Sequence, residues 1–221
     1  MLCLALLPAL PQAARAESRV PEIIHLAMTT MPDVHRGART YAEHCSGCHG
    51  RVARGSEAKA IPALAGQHAS YLVAQLAAFV EFEREDSGVH RFLAGGGLSQ
   101  PEILADVATY LEGLPPRKAG GSTSRQSYPG LLARGRALHV TICASCHQRD
   151  ASGDAEHFVP ALTGQNPAYL LAQLRRIPHG HRTAAPEVLI EELERMTSSD
   201  KEALALYLAT LPPTRDRIAA E

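Results

Sequence analysis

Cys45-Ser46-Gly47-Cys48-His49 and Cys143-Ala144-Ser145-Cys146-His147 are two copies of one pentapeptide. Cys-x-x-Cys-His is the pattern that attaches a c-type haem. Two thiols on one helical turn reach the two vinyl groups of a single porphyrin. The histidine that follows then lies under the iron as its proximal ligand. A lone Cys-x-x-Cys also suits a zinc ribbon or a thioredoxin-like redox site. Two copies, each followed directly by histidine, point to two covalent haems instead. Cys45, Cys48, Cys143 and Cys146 are the expected attachment points, with His49 and His147 as proximal iron ligands.

The pentapeptide belongs to a longer repeat. Pro62-Ala63-Leu64-Ala65-Gly66-Gln67 matches Pro160-Ala161-Leu162-Thr163-Gly164-Gln165, and Tyr71-Leu72-Val73-Ala74-Gln75-Leu76 matches Tyr169-Leu170-Leu171-Ala172-Gln173-Leu174, all at an offset of 98. Tyr110-Leu111 and Tyr207-Leu208 match at an offset of 97. A period this long, present twice, means two tandem domains and not a solenoid. The expected division is a signal peptide over 1–16, a first domain over 17–116, a linker over 117–128 and a second domain over 129–221.

Within each half the apolar spacing is helical. Arg36 to His44 reads as a helix running into the first motif. His68 to about Arg84 reads as a second, on the spacing of Tyr71, Leu72, Gln75, Leu76 and Phe79. Ser99 and Glu102 have the spacing of a capping box and would open a third, ended by Pro115-Pro116. The second half repeats the order with helices from about Pro129, over 167–177 and from about Ser199 to Thr210. The fold class is all-α, with three main helices per domain around one haem. Residues 17–34 stand outside the repeat and read as a packing arm or short helix. His68 reads as a surface residue at a helix start. The Pro62 carbonyl, which no helix claims, is free to accept from the proximal histidine's ring N–H.

The bulk numbers agree. The chain has 221 residues, of which 45% are hydrophobic, 5% are aromatic and none is tryptophan. A porphyrin in each domain supplies flat apolar area that aromatic side chains otherwise provide. The formal net charge of −1 carries no basic excess of the kind nucleic-acid binding needs. Four of the five cysteines lie in the motifs, so the cysteines report haem attachment and not a disulfide framework. The apolar run Met1 to Leu10, followed by Ala14-Arg15-Ala16, has the form of a secretory signal peptide, although the usual positive n-region is missing. No other stretch is long enough to span a bilayer. The expected location is the periplasm. Glu81, Glu83, Glu85 and Asp86 make one half acidic where Arg175, Arg176 and Arg182 make the other basic, which suggests a dipolar molecule that orients on its partners.

The two haem motifs, the Pro-x-Leu-x-Gly-Gln loops with their Tyr-Leu-x-x-Gln-Leu helices, and the last helices ending in Tyr-Leu together resemble the cytochrome c4 family of diheme cytochromes c. The resemblance covers nearly all of the expected mature chain. It implies two class I cytochrome c-like domains in a pseudo-twofold arrangement, serving as a periplasmic electron carrier. The implied partners are a quinol-oxidising complex and a terminal oxidase, or a periplasmic reductase or dehydrogenase. It also implies a methionine on each iron, from the loop before the last helix. The four methionines are Met1, Met28, Met31 and Met196, so the first domain lacks that ligand. His90, in Val89-His90-Arg91-Phe92, is the natural substitute. In the second domain Met196, His181 or His179, or an open position remain. An open position keeps a diheme enzyme of the peroxidase or thiosulfate-dehydrogenase type as the alternative, beside an electron-transfer subunit of a dehydrogenase.

Overall fold

The computed structural model describes residues 18–93, 97–118, 129–183 and 185–213. The expected signal peptide and the Gly-Gly-Ser linker stretch fall outside them. Among the described residues the chain is helical, its only β-type pairs being isolated bridges.

The first half contains α1 (Val20–Thr29), α2 (Val34–His44), the one-turn α3 (Ser46–His49), α4 (Ala69–Val80), α5 (Ser87–Leu93) and α6 (Pro101–Gly113). The second half contains α7 (Pro129–Leu138), a π-helical turn over His139–Cys143, α8 (Ala144–His147), α9 (Pro167–Arg176), a 3₁₀ turn over Ile177–His179, α10 (Glu187–Arg195) and α11 (Ser198–Ala209).

Each half is built on one close crossing of its first and last large helices, α2 on α6 and α7 on α11. The crossings are set by glycines. A Cβ on Gly37 would come 2.1 Å from the Asp106 carbonyl oxygen, and one on Gly135 would come 2.1 Å from that of Ala203. The cores follow from these crossings. Tyr41, Leu72, Val73, Val107 and Leu111 are buried in one; Leu138, Leu170, Leu193, Met196, Leu204 and Leu208 in the other. Cys45 packs against the first core and Cys143 against the second. The arm before the repeat is α1, which buries Ile23 with Ala77 of α4 and Leu104 of α6.

Two expectations need correction. Ser99 does not cap the third helix: α6 begins at Pro101, Gln100 holds the N-cap position, and no side chain caps it. Proline favours the first helical position, and here it displaces the start past the serine. A capping box does form in the second half, between Thr197 and Asp200. The second helix stops at Val80, short of Arg84, because the chain turns left-handed at Phe82, with φ of 58°.

Candidate functional site

The two Cys-x-x-Cys-His segments form one-turn helices, α3 and α8, and the chain after each folds back in the same way. Gly55 N–H donates to the His49 carbonyl at 2.9 Å, and Gly153 N–H to the His147 carbonyl at 3.0 Å. Both glycines have positive φ, and a Cβ on either would lie within 2.5 Å of a proline carbonyl oxygen, that of Pro62 or Pro160. That close approach brings the proline carbonyls to the histidines. His49 Nδ1 donates to Pro62 O at 3.1 Å, and His147 Nδ1 donates to Pro160 O at 3.0 Å. Each ring is thereby fixed as the tautomer whose Nε2 carries a free lone pair.

Burial holds both histidines below the usual imidazole pKa. The Pro62 carbonyl and the charge of Asp86 oppose it at His49, and the Pro160 carbonyl opposes it at His147. A neutral imidazole is the form that binds a metal. Burial, with the charge of Cys48 adding to it, pushes the Cys45 thiol up to about 11, and burial with Cys146 and Glu192 does the same for Cys143. No cluster of three or more His, Cys, Asp or Glu side chains suited to a metal ion occurs among the described residues.

The two loops meet across the domain boundary. Gln165 accepts from Ala63 N–H at 2.8 Å and donates to Ala63 O at 2.9 Å. Gln67 accepts from Ala161 N–H at 2.9 Å and donates to Ala161 O at 2.8 Å. His68 Nε2 donates to Ser152 O at 2.8 Å, so this histidine is part of the interface and not the surface residue expected. Its repeat partner Asn166 donates to Ile61 O at 2.6 Å. The glutamine bonds obey a pseudo-twofold relation residue for residue, and the mate of the His68–Ser152 bond is the 3.5 Å bond from Asn166 to Arg54 O, with Ile61 O an added acceptor.

A second cluster at the boundary has no counterpart in the sequence reading. Arg84 and Arg182 form an isolated antiparallel bridge. Their guanidinium groups donate to the Tyr169 hydroxyl at 2.7 and 3.2 Å, and Arg182 also donates to the Tyr71 hydroxyl at 3.3 Å. Arg182 Nε is buried without a partner. Burial would raise the Tyr169 pKa, but the two arginines outweigh it and the net shift is downward. Tyr71 and Tyr169 were legible only as helix positions; their shared offset from Arg84 and Arg182 was the available signal.

The acidic and basic stretches also come together here, so they are not opposite poles of the molecule. Glu85 pairs with His181 at 2.8 Å, Arg176 donates to the Glu85 carbonyl at 3.3 Å, and Arg175 pairs with Glu202 of its own domain at 2.8 Å. His181 is thus engaged by a carboxylate, and His179 is exposed. His90 lies on α5 against Phe79 and Phe82, and its Nδ1 is buried with no hydrogen-bond partner. Met196 is 8% exposed and belongs to the same core that Cys143 packs against.

These residues fit a haem in each half: paired thiols and an oriented neutral imidazole in both, an orphaned buried ring nitrogen at His90 in the first, and one buried cationic cluster suited to carboxylates at the boundary. The comparisons agree. The family model for cytochrome c matches residues 34–115 and again 132–212. A thiosulfate dehydrogenase electron acceptor from Thiomonas intermedia is 32% identical over 80% of this chain and 84% of its own length. Cytochrome c4 from Azotobacter vinelandii is 28% identical over 76% of this chain and 84% of its own length. The crystal structure of reduced cytochrome c4 from Pseudomonas stutzeri, 24% identical, superposes with a TM-score of 0.70 over 82% of this chain and all of that one. The chain therefore belongs to the cytochrome c family, as a diheme electron carrier of the cytochrome c4 type with one haem c in each half.

Proposed function

We propose that this chain works in the periplasm as a soluble shuttle, taking electrons from a dehydrogenase that oxidises an inorganic sulfur anion and passing them to a terminal acceptor. Cys45 and Cys48 carry the first haem, and Cys143 and Cys146 the second. His49 and His147 are the proximal ligands through Nε2. His90 is the sixth ligand of the first iron and Met196 of the second. Arg84 and Arg182 would supply positive charge to the haem carboxylates. The relative from Thiomonas intermedia supports the donor class, and no helix among the described residues is long and apolar enough to cross a membrane.

When bound, haem c cycles between ferric and ferrous iron, one electron at a time. The protein's part is to keep each imidazole neutral and aimed, to exclude water with the two cores, and to hold the halves in one relation. The observation that carries the shuttle reading is the reciprocal glutamine pairing. The Pro62 carbonyl accepts from His49 Nδ1–H and its neighbour Ala63 is bound by Gln165; the Pro160 carbonyl accepts from His147 Nδ1–H and its neighbour Ala161 is bound by Gln67. The supports of the two irons are thus hydrogen-bonded to each other, as a relay needs and two independent sites do not.

Histidine in place of methionine lowers a haem potential, so the first haem is expected to be the lower of two and to receive the electron. The test mixes the oxidised protein with a thiosulfate dehydrogenase and thiosulfate. Rapid haem reduction that requires both additions is the expected result. Sustained thiosulfate oxidation by the chain with ferricyanide as electron acceptor and no dehydrogenase would overturn the shuttle in favour of an enzyme, and no reduction in the full mixture would overturn the donor class.

A further inference from the structure

Helix α4 ends in a Schellman motif: Glu83 N–H reaches back to Ala78 O at 2.8 Å and Phe82 N–H to Phe79 O at 3.3 Å. The residue between cap and return, here Phe82, must be left-handed, and glycine is its default occupant. The repeat partner of Phe82 is Gly180, with φ of 79°. Phe82 instead holds φ of 58° with a bulky side chain, a combination that persists only where something else requires it. Burial is not the reason, because Phe82 is 68% exposed.

Among the described residues its ring has one aromatic partner. Phe82 stacks on the His90 imidazole with centroids 4.4 Å apart and planes within 10°. Phe79 meets the same imidazole edge-on at 5.8 Å, and Arg84 lies over the Phe79 ring at 4.6 Å. His90 is therefore held between two phenylalanines, the second of them backed by an arginine that is itself tied to Tyr169 of the other domain. The second half keeps the arginine, as Arg182, which reaches Tyr71 across the boundary, but neither ring nor the histidine. Phe79 is replaced by Ile177, Phe82 by Gly180, and α10 contains no histidine. Aromatic clamp and histidine are present together in one half and absent together from the other.

We propose that Phe82 is a positioning residue for the first haem: its strained backbone puts its ring flat against His90 and fixes the imidazole for iron. The inference rests on His90 being the sixth ligand, and it predicts a separable phenotype. Phe82→Gly suits the left-handed site, so the thermal midpoint should hold or rise. At the same time the bis-histidine signature of the first haem, read by near-infrared magnetic circular dichroism, should weaken or vanish. Its reduction potential should move to a more positive value, and the reduced protein should begin to bind carbon monoxide. Phe82→Tyr should restore the wild-type spectrum. Phe82→Asn, which tolerates the left-handed backbone without a ring, should behave like the glycine variant. An unchanged spectrum, potential and carbon monoxide inertness in both Phe82→Gly and Phe82→Asn would overturn the role of Phe82. His90→Ala separates the two levels. If it alters the first haem while the Phe82 variants do not, only the clamp is wrong; if it alters nothing, the ligand assignment falls and the clamp with it.

Discussion

Tyr41 and His139 occupy the same place in the two halves and solve one problem with different chemistry. The Tyr41 hydroxyl donates to the Gly50 carbonyl, and His139 Nε2 donates to that of Gln148 at 3.1 Å. Each rests against a tyrosine of the last helix, Tyr110 or Tyr207. The phenol is satisfied by its single bond. The imidazole is not, because its Nδ1 is buried with no partner. Burial depresses the His139 pKa below 6.5, and the Arg149 and Gln148 backbone groups offset this only in part. The unfolded chain therefore binds this proton more readily than the folded one. The contribution to stability is fully present above pH 6.5 and is lost as pH falls through the lower, folded value. We expect denaturant midpoints of the second half to drop between pH 7.5 and pH 5.5, and His139→Tyr to remove that part of the slope. At pH 7.5 the same variant should gain stability of the order of 1 kcal/mol by eliminating an orphaned group. An identical pH slope in both proteins would show that His139 does not titrate on unfolding.

The helices divide into those that repeat the domain plan and those that do not. Helices α2, α4, α6, α7, α9 and α11 were legible because apolar spacing and the repeat register, 98 residues for the first two pairs and 97 for the last, agree on them. Helix α5 was not: seven residues with a glycine near the start carry little periodicity, and its cap, Asp86 accepting from Gly88 N–H at 3.0 Å, is local. Helix α10 left a signal in Leu189 and Leu193 with the Glu191–Arg195 pair, but the loop expected to carry a methionine hid it. The haem-side contacts were legible for the same reason as the helices. Cys45, His49 and Pro62 lie close in sequence, so spacing alone brings them together. The roles of Gln67, His68, Arg84 and Tyr169 depend on residues roughly a hundred positions away, which no local pattern encodes. At this scale the firmest expectation concerns the glycine crossings. Gly135→Ala drives a methyl group into the Ala203 carbonyl, and overpacking of this kind costs about 1–3 kcal/mol. Thr197→Ala removes the cap of the opposing helix, for about 1 kcal/mol. Urea melts of the second half should rank Gly135→Ala at least as damaging as Thr197→Ala. The reverse order would mean that α7 and α11 slide apart without strain.

Across the whole molecule the boundary between the halves holds more polar bonding than surface charge pairing. The Glu85–His181 pair is partly exposed and contributes little. The glutamines differ: Gln67 and Gln165 are each 8% exposed, and each both accepts from and donates to one alanine backbone. Truncating one removes the partner of two N–H groups, one on the alanine and one on the residue after the glutamine, and of one C=O, at about 1–3 kcal/mol per orphaned group. The loss falls on the loops that carry Pro62 and Pro160, so it reaches the proximal histidines as well as the interface. Gln67→Ala should loosen the support of the second haem, since its partner Ala161 follows Pro160, and Gln165→Ala that of the first. Each variant should shift the potential of the haem in the opposite domain more than that of its own. The double variant should uncouple the two halves, so that the unfolding midpoint of one no longer follows a destabilising change in the other. Glu at either position, which accepts but does not donate when ionised, should restore only half of each pair. If each glutamine instead moved the potential of its own haem, the crossed arrangement would be only a structural tie and would play no part in how the two irons communicate.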